Sequence, residues 1–477
     1  MKLLILLRSL QPDEYKVFEW FLQSPYFKNS SKYLQFFRFL VKHFPGFSLP
    51  KNQIKEAFKQ CVGDADFSET KYYNMVSGLS RQLEHFLVAQ RVFEHDPTTY
   101  LKLLTFSLGD RNLGAYFRSE SQQFIQQLES TAIKTQNDYL TICQTHKQLY
   151  FNPDTPKFGN YASHLQQAAD YLDMYYALAK MRLSAEMKVR ERILNARFET
   201  PLLDHVLEWS RHEKIAENAP LITLYRTTIE LYRDGMTAEG FQALKNLFTQ
   251  HFSQLPAQEQ VILVRHLING GISLVARDVP VEKELLDLYK LALGSEALFE
   301  HNRMTVVTFV NISNLAGLCH DYNWAFSFID KYAIYLEAEK QPAAVFLAKA
   351  GLLFHQKKLD EAQTTLNTVP FSTAPFDLLG RNLLLKIAVD RFLNYSDGLD
   401  FLNAHLKAYE RYVNVKPFAD DRKSAELNLI RFTRKLIATK LDFGKVNELK
   451  KTELKAKLAA YPLVVSKKWL ESKIDEL

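Results

Sequence analysis

The chain is poor in the residues that punctuate sheets or build reaction centres. Glycine and proline number only 16 each in 477 residues, against average usage of about 7% and about 5%. So few turn-formers over such a length exclude a protein of many short strands and favour long helices. Cysteine is nearly absent: Cys61, Cys143 and Cys319 stand far apart and form no CxxC pair. That excludes a disulfide framework and points to a reducing, cytoplasmic setting. No glycine-rich phosphate loop, GxSxG elbow, HExxH pair or calcium loop occurs. The longest apolar stretch, Val261 to Val275, contains Arg265 and His266 and is too short and too charged to span a bilayer. The opening Met1–Arg8 has too short an apolar run and no small-residue cleavage site for a signal peptide. It reads as an amphipathic first helix. Together these absences predict no enzyme, no cofactor, no metal and no membrane contact.

What is present is ordinary globular material, 47% hydrophobic and 24% charged, enough for a large core. The net charge of +6 is mild for this length and selects no partner. Helical periodicity runs through the N-terminal part. One helix follows Pro12-Asp13, with Val17, Phe18, Phe21 and Leu22 on one face, and stops at Ser24-Pro25. Others cover about 31–43, ended by Pro45-Gly46, then 51–61 and 67–94. The last has a capping-box-like start at Asp66 and Glu69 and a stripe of Tyr72, Val76, Leu79, Leu83 and Phe86. His95-Asp96-Pro97 is the best domain boundary. Further helices follow over about 98–108, 113–135, 137–151 and 160–194, with a turn-rich connector at 152–158. From about 202, paired helices of roughly 15–20 residues are broken near Pro201, Pro220, Pro256, Pro280, Pro342, Pro370 and Pro375, which implies antiparallel neighbours. The domains expected are 1–95, 96–200 and 201–477.

A repeat emerges late in the chain. Asn323-Trp324-Ala325-Phe326, Asp360-Glu361-Ala362-Gln363 and Asp397-Gly398-Leu399-Asp400 align at a spacing of 37 residues. A period in the mid-thirties marks stacked helical hairpins. In the best unit Phe346, Ala350, Leu353, Leu359, Ala362, Leu366 and Val369 alternate bulky and small residues. Alanines let two helices approach while bulky residues fill the groove between them. This pattern resembles the tetratricopeptide repeat. It is weaker in the preceding unit (Phe309, Ser313, Tyr322, Ala325, Ile329), and departs at Leu399 and Lys349. The resemblance implies an all-α protein: a right-handed α-solenoid of antiparallel hairpins, with residues 1–95 as an N-terminal helical cap. The order of Leu22-Gln23-Ser24-Pro25-Tyr26-Phe27, Phe86-Leu87, Phe309-Val310-Asn311-Ile312 and Lys468-Trp469-Leu470 is also similar to a family of large uncharacterised bacterial helical proteins, which carries no activity with it.

Leu49, Ile54, Phe58, Ser68, Tyr72, Val76, Leu79, Arg81, Leu83 and Leu87 resemble a helix-turn-helix core. That resemblance places Lys71, Tyr73, Asn74 and Arg81 on or near a recognition helix. Such regulators carry a β-wing next, whereas Leu87 to Phe93 continues helical. Near the C-terminus, residues 431–468 hold eleven lysines and arginines against three carboxylates, a surplus of eight. Arg431, Arg434, Lys435, Lys450, Lys451 and Lys455 belong to this run. It is either a solvated helix face or a docking face for an acidic partner or a nucleic-acid backbone. Three minor features read as structure. Gly270-Gly271 marks close helix packing. Cys319-His320-Asp321 points its side chains apart and chelates nothing alone. Tyr171, Leu172, Met174, Tyr175 and Tyr176 make a broad face, buried between neighbours or open to a partner. The function expected is therefore a protein–protein interaction scaffold holding a peptide or helix in the solenoid groove. The alternative is a nucleic-acid-binding regulator.

Overall fold

The computed structural model describes residues 2–27, 31–42, 51–62, 68–111, 113–153, 162–194, 197–277, 279–295, 297–299, 302–368, 376–418, 420–443 and 446–477. Pro45, Gly46, Leu49, Asp66, residues 154–158, Val369, Pro370, Pro375 and Lys445 of the sequence reading lie outside them. The described residues are overwhelmingly helical and contain no strand. They divide into two compact units, residues 1–131 with 137–173, and residues 132–136 with 174–477.

The first unit holds α1 (Lys2–Arg8), α2 (Glu14–Gln23), α3 (Ser31–Val41), α4 (Lys51–Val62), α5 (Glu69–Gln90), α6 (Pro97–Asp110), α7 (Gly114–Glu129), α8 (Gln136–Phe151) and the start of α9 (Ser163–Leu194). Its first core gathers Leu3, Leu7, Phe18, Phe36, Phe37, Phe58 and the Tyr72–Phe86 stripe around α5. Phe18 meets Phe37 edge-on at 4.9 Å, the geometry that ring quadrupoles favour. The α5 helix starts two residues later than the spacing suggests. Its cap is Ser68, whose Oγ accepts from the Lys71 N–H at 3.1 Å. At its other end α5 runs into a π-helical turn over Arg91–His95. Asp96 then caps α6, accepting from the Thr99 N–H at 3.0 Å, with Pro97 at the first helical position, where its missing N–H costs nothing.

The second unit contains the rest of α9, then α10 (Leu203–Trp209), α11 (Glu213–Asn218), α12 (Pro220–Asp234), α13 (Ala238–His251), α14 (Ala257–Ala276), α15 (Glu282–Gly294), α16 (Val306–Leu318), α17 (Tyr322–Tyr332), α18 (Gln341–His355), α19 (Leu359–Asn367), α20 (Phe376–Tyr395), α21 (Leu399–Val415), α22 (Asp420–Phe443), α23 (Glu448–Ala459) and α24 (Lys467–Glu476). Pro220, Pro256 and Pro342 all sit at or just before a helix start. Gly270 and Gly271 lie inside α14. A Cβ would come within 2.7 Å of Met236 on the first and 2.8 Å of Leu285 on the second, so the pair does mark close approach.

The spacing of 37 has a structural counterpart. In the turn between α16 and α17, the Asp321 N–H donates to the Ala316 carbonyl at 2.9 Å and the His320 N–H to Gly317 at 3.1 Å. Thirty-seven residues on, between α18 and α19, Lys358 donates to Leu353 and Lys357 to Phe354, both at 2.9 Å. This is one helix-ending motif used twice. It sets His320 (φ 58°) and Lys357 (φ 63°) in the left-handed region. The second helices then begin, and Ala325 and Ala362, both fully buried, sit at their starts. The two helices that follow these turns, α17 and α19, run 11 and 9 residues, shorter than sequence spacing suggests. First helices pack on each other as well as on their own partners: α16 against α17 and α18, and α18 against α19 and α20.

The third turn departs. Leu399 is half-buried, and the left-handed positions are Ser396 (φ 56°) and Gly398 (φ 77°). The exposed Ser396 carries the steric cost of that conformation. Ser396→Gly is expected to stabilise the protein by about 0.5–1 kcal/mol, read as an upward shift in the urea midpoint. A shift downward would mean the serine is not strained there.

Candidate functional site

Alternating packing leaves the first helices of three successive pairs side by side. Val310, Asn314 and Leu318 on α16 sit at intervals of four. Leu347, Phe354 and His355 on α18 lie beside them, then Leu379, Asn382, Leu383 and Lys386 on α20. These ten residues enclose a cavity of about 180 Å³. Its walls are mostly apolar, with an imidazole, an ammonium and two amides among them. Gly351 makes the close approach of α16 and α18 achievable: Asn314 Oδ1 occupies the space of a side chain, 2.4 Å from where a Cβ would stand.

Behind the cavity lies a cluster of charges inside the protein. Asp390 is fully buried and pairs with Lys473 at 2.9 Å and Lys357 at 3.7 Å. Lys473 is itself only 1% exposed and reaches Glu476 at 2.6 Å. Glu426, also fully buried, is held by Arg422 at 2.7 Å and accepts from the Tyr409 hydroxyl at 2.8 Å. Burial pushes the Glu426 carboxyl up from its ordinary value. Lys386 differs from its neighbours: among the described residues it forms no ion pair, and its Nζ lies 5.8 Å from the Trp469 ring centre. Burial pulls the Lys386 ammonium down to about 8, with Glu426 and Asp390 opposing that shift. His355 is pulled down to about 4, by burial first and then by Lys386, His320 and Lys357. It is neutral at pH 7. The Asn382 amide nitrogen is buried without a hydrogen-bond partner. The neighbouring Tyr409 hydroxyl donates to Glu426 and stays open to accept from the Asn382 amide.

A second, wider cleft of about 660 Å³ includes Glu282, Asp287, Lys290, Cys319, His320 and Asp321. Several of its charges are engaged: Lys290 pairs with Asp321 at 2.7 Å, Glu282 with Lys468 at 2.8 Å and Asp287 with Lys245 at 3.3 Å. Burial, then the surrounding carboxylates, push the Cys319 thiol up, the opposite of what a nucleophile needs. Among the described residues no group of three or more His, Cys, Asp or Glu could hold a metal ion, and no helix is long and apolar enough to cross a membrane.

The N-terminal residues singled out by sequence, Lys71, Tyr73, Asn74 and Arg81, are all exposed on α5. Lys71, Asn74 and Arg81 share a side, with Tyr73 about a quarter-turn from Arg81. No wing follows them, since residues 87–95 are helical. The C-terminal group lies on α22 and α23. Arg434 meets Glu410 at 2.6 Å, Lys450 meets Glu453 at 2.8 Å, and Lys455 meets Asp475 at 2.6 Å. Lys451 pairs with Glu448 at 3.6 Å and donates to the Asp475 carbonyl at 2.9 Å. Arg431 is exposed and touches Asn428 at 3.3 Å, and Lys435 is half-buried. Much of the charge run is thus matched by acids, some from outside the run. On α9, Tyr171 is half-buried and donates to Glu129 at 2.6 Å, Met174 and Tyr175 are half-buried, and Leu172 and Tyr176 are exposed.

Sequence reading missed Asn382, Lys386 and Asp390, yet a signal existed. They recur every four residues in a helix otherwise rich in Leu, Ile and Val. That puts three polar groups on one side of a buried helix. Neither a family model, nor a curated protein, nor a solved structure matches this chain.

Proposed function

We propose that this chain is a non-catalytic interaction protein, a right-handed α-solenoid of tetratricopeptide-like hairpins whose groove receives a segment of another protein. The observation that carries this reading is the aligned row of first helices α16, α18 and α20, whose shared face presents both apolar and polar side chains. Helical arrays bind through such extended faces. Leu318 is half exposed on it, available to a partner without supporting the core. The nucleic-acid alternative has less behind it: α5 lacks a wing, and four of the six basic C-terminal candidates face carboxylates.

The test is capture of partners from the native host with the tagged chain, with and without nuclease, beside a Leu318→Glu variant. A protein set that survives nuclease and is lost from the variant is the expected result. Capture that vanishes with nuclease, or that ignores Leu318→Glu, sinks the groove reading. In the nuclease-sensitive case, a salt titration of Arg81→Ala, Arg431→Ala and Lys435→Ala would follow.

A further inference from the structure

We propose that the cavity between α16, α18 and α20 binds a small organic carboxylate, with an apolar body against the leucines and its charge on Lys386. Size comes first. An apolar cavity of about 150 Å³ accommodates a benzene-sized guest, and this one is about 180 Å³. Room therefore exists for one ring or a short chain plus a carboxylate. The walls divide accordingly: Val310, Leu318, Leu347, Phe354, Leu379 and Leu383 are apolar, and the polar groups are few. That proportion is typical of small-molecule sites.

Charge supplies the second half of the argument. The cluster around Lys386 contains four cations (Lys357, Lys386, Arg422, Lys473) and three carboxylates (Asp390, Glu426, Glu476). Every one of those carboxylates has a cation at ion-pair distance, and among the described residues Lys386 is the cation left over. Lys386 is half-buried and has no carboxylate at ion-pair distance among the described residues, and an incoming carboxylate would supply one. The Asn382 amide adds a second polar group to the cavity wall. A phosphate-sized dianion fits less well, because one surplus cation in an apolar cavity offsets a single charge.

The same feature fixes a pH dependence. Groups facing Lys386 are Asp390 on its own helix, His355 on α18, Glu426 on α22 and the Trp469 ring on α24. Above pH 8 the ammonium of the unliganded protein loses its proton, and carboxylate affinity falls by up to about tenfold per further pH unit. This inference stands apart from the protein-partner reading, since it concerns a free acid and is tested without any partner.

The experiment is calorimetric titration of the full chain with benzoate, benzamide, benzyl alcohol and N-acetylglutamate amide at pH 7 and pH 9.5. Expected is benzoate binding at least about tenfold tighter than its two neutral analogues at pH 7, with the preference collapsing at pH 9.5 and in Lys386→Met. Equal binding of all three benzene compounds, or no binding of benzoate, overturns the proposal. Binding of N-acetylglutamate amide in preference to benzoate also overturns it, assigning the cavity to an acidic side chain of a partner. Should Lys386→Met fail to fold, the native-chain comparison at the two pH values still decides.

Discussion

Lys473→Met is expected to destabilise the second unit by about 3–5 kcal/mol, while the double replacement Asp390→Leu with Lys473→Met returns close to the parent stability. The reason lies in what each change leaves behind. Asp390 and Lys473 are 0% and 1% exposed, so neither charge can turn to water. Removing one partner strands the other, and stranded buried charges cost several kcal/mol. The two single changes are unequal. Without Lys473, Asp390 keeps only Lys357 at 3.7 Å. Without Asp390, Lys473 still has Glu476 at 2.6 Å. The loss is therefore expected to be smaller for Asp390→Leu than for Lys473→Met. Replacing both with apolar side chains of similar size removes the desolvation cost together with the attraction. Urea unfolding followed by far-UV dichroism measures all three. Equal small losses for the singles, within about 1 kcal/mol of parent, would mean that water reaches the pair.

This pair also bears on how the C-terminal helix is held. Lys473 sits on α24, whose Leu470 and Ile474 enter the core with Leu385, Val389 and Leu436. A helix of ten residues is too short to persist alone. Its place depends on those apolar side chains and on the buried ion pair to α20. Among the described residues Lys386, one turn before Asp390, has no equivalent partner, so the same helix carries one charge within an ion pair and one outside any.

The sequence made the helices legible, because their signals are local. Pro97, Pro220 and Pro342 stand in first turns, and Tyr72, Val76, Leu79 and Leu83 fall inward as their spacing requires. The 37-residue spacing was legible for the same reason: a left-handed turn followed by a small residue repeats within one stretch of chain. The basic run from 431 to 468 was read less completely. Counting charge along the chain finds Lys455 and Arg434 but not Asp475, Glu410 or Glu282, which reach the run's cations from other helices. Of the cavity, only the polar row Asn382, Lys386 and Asp390 left a trace in the sequence. Its ten lining residues come from three helices spread over 77 positions, and only packing assembles them. The helix start at Ser68 shows a smaller limit: a serine cap next to an acidic residue can be read in more than one register.

Acid is the second large perturbation. Lowering the pH from 7 to 5 is expected to cost each unit roughly 2 kcal/mol per buried histidine, well before most carboxylates are protonated. In the first unit the site is His146, 2% exposed, which burial and then His164 pull down to about 4. Its Nδ1 lies 2.9 Å from Nδ1 of His164. One proton between the two nitrogens makes a hydrogen bond, and a second sets N–H against N–H. In the second unit the deepest such site is His266, 3% exposed and likewise pulled down to about 4 by burial, with His355 a further one. The Tyr232 hydroxyl lies 3.2 Å from its Nδ1. Both imidazoles are neutral in the folded chain at pH 5, whereas the unfolded chain titrates near 6.5. The unfolded state therefore binds the extra protons, and stability falls as pH drops through 6.5, levelling off only near 4. Between those limits each site contributes a slope of about 1.4 kcal/mol per pH unit. His266→Phe removes one titrating group while filling the space. The variant starts less stable at pH 7, having lost the Tyr232 contact, but its decline toward pH 5 is shallower by about one proton's slope. Urea midpoints for parent and variant at pH 7, 6 and 5 measure this, and parallel declines would mean that His266 is protonated in the folded protein at pH 5.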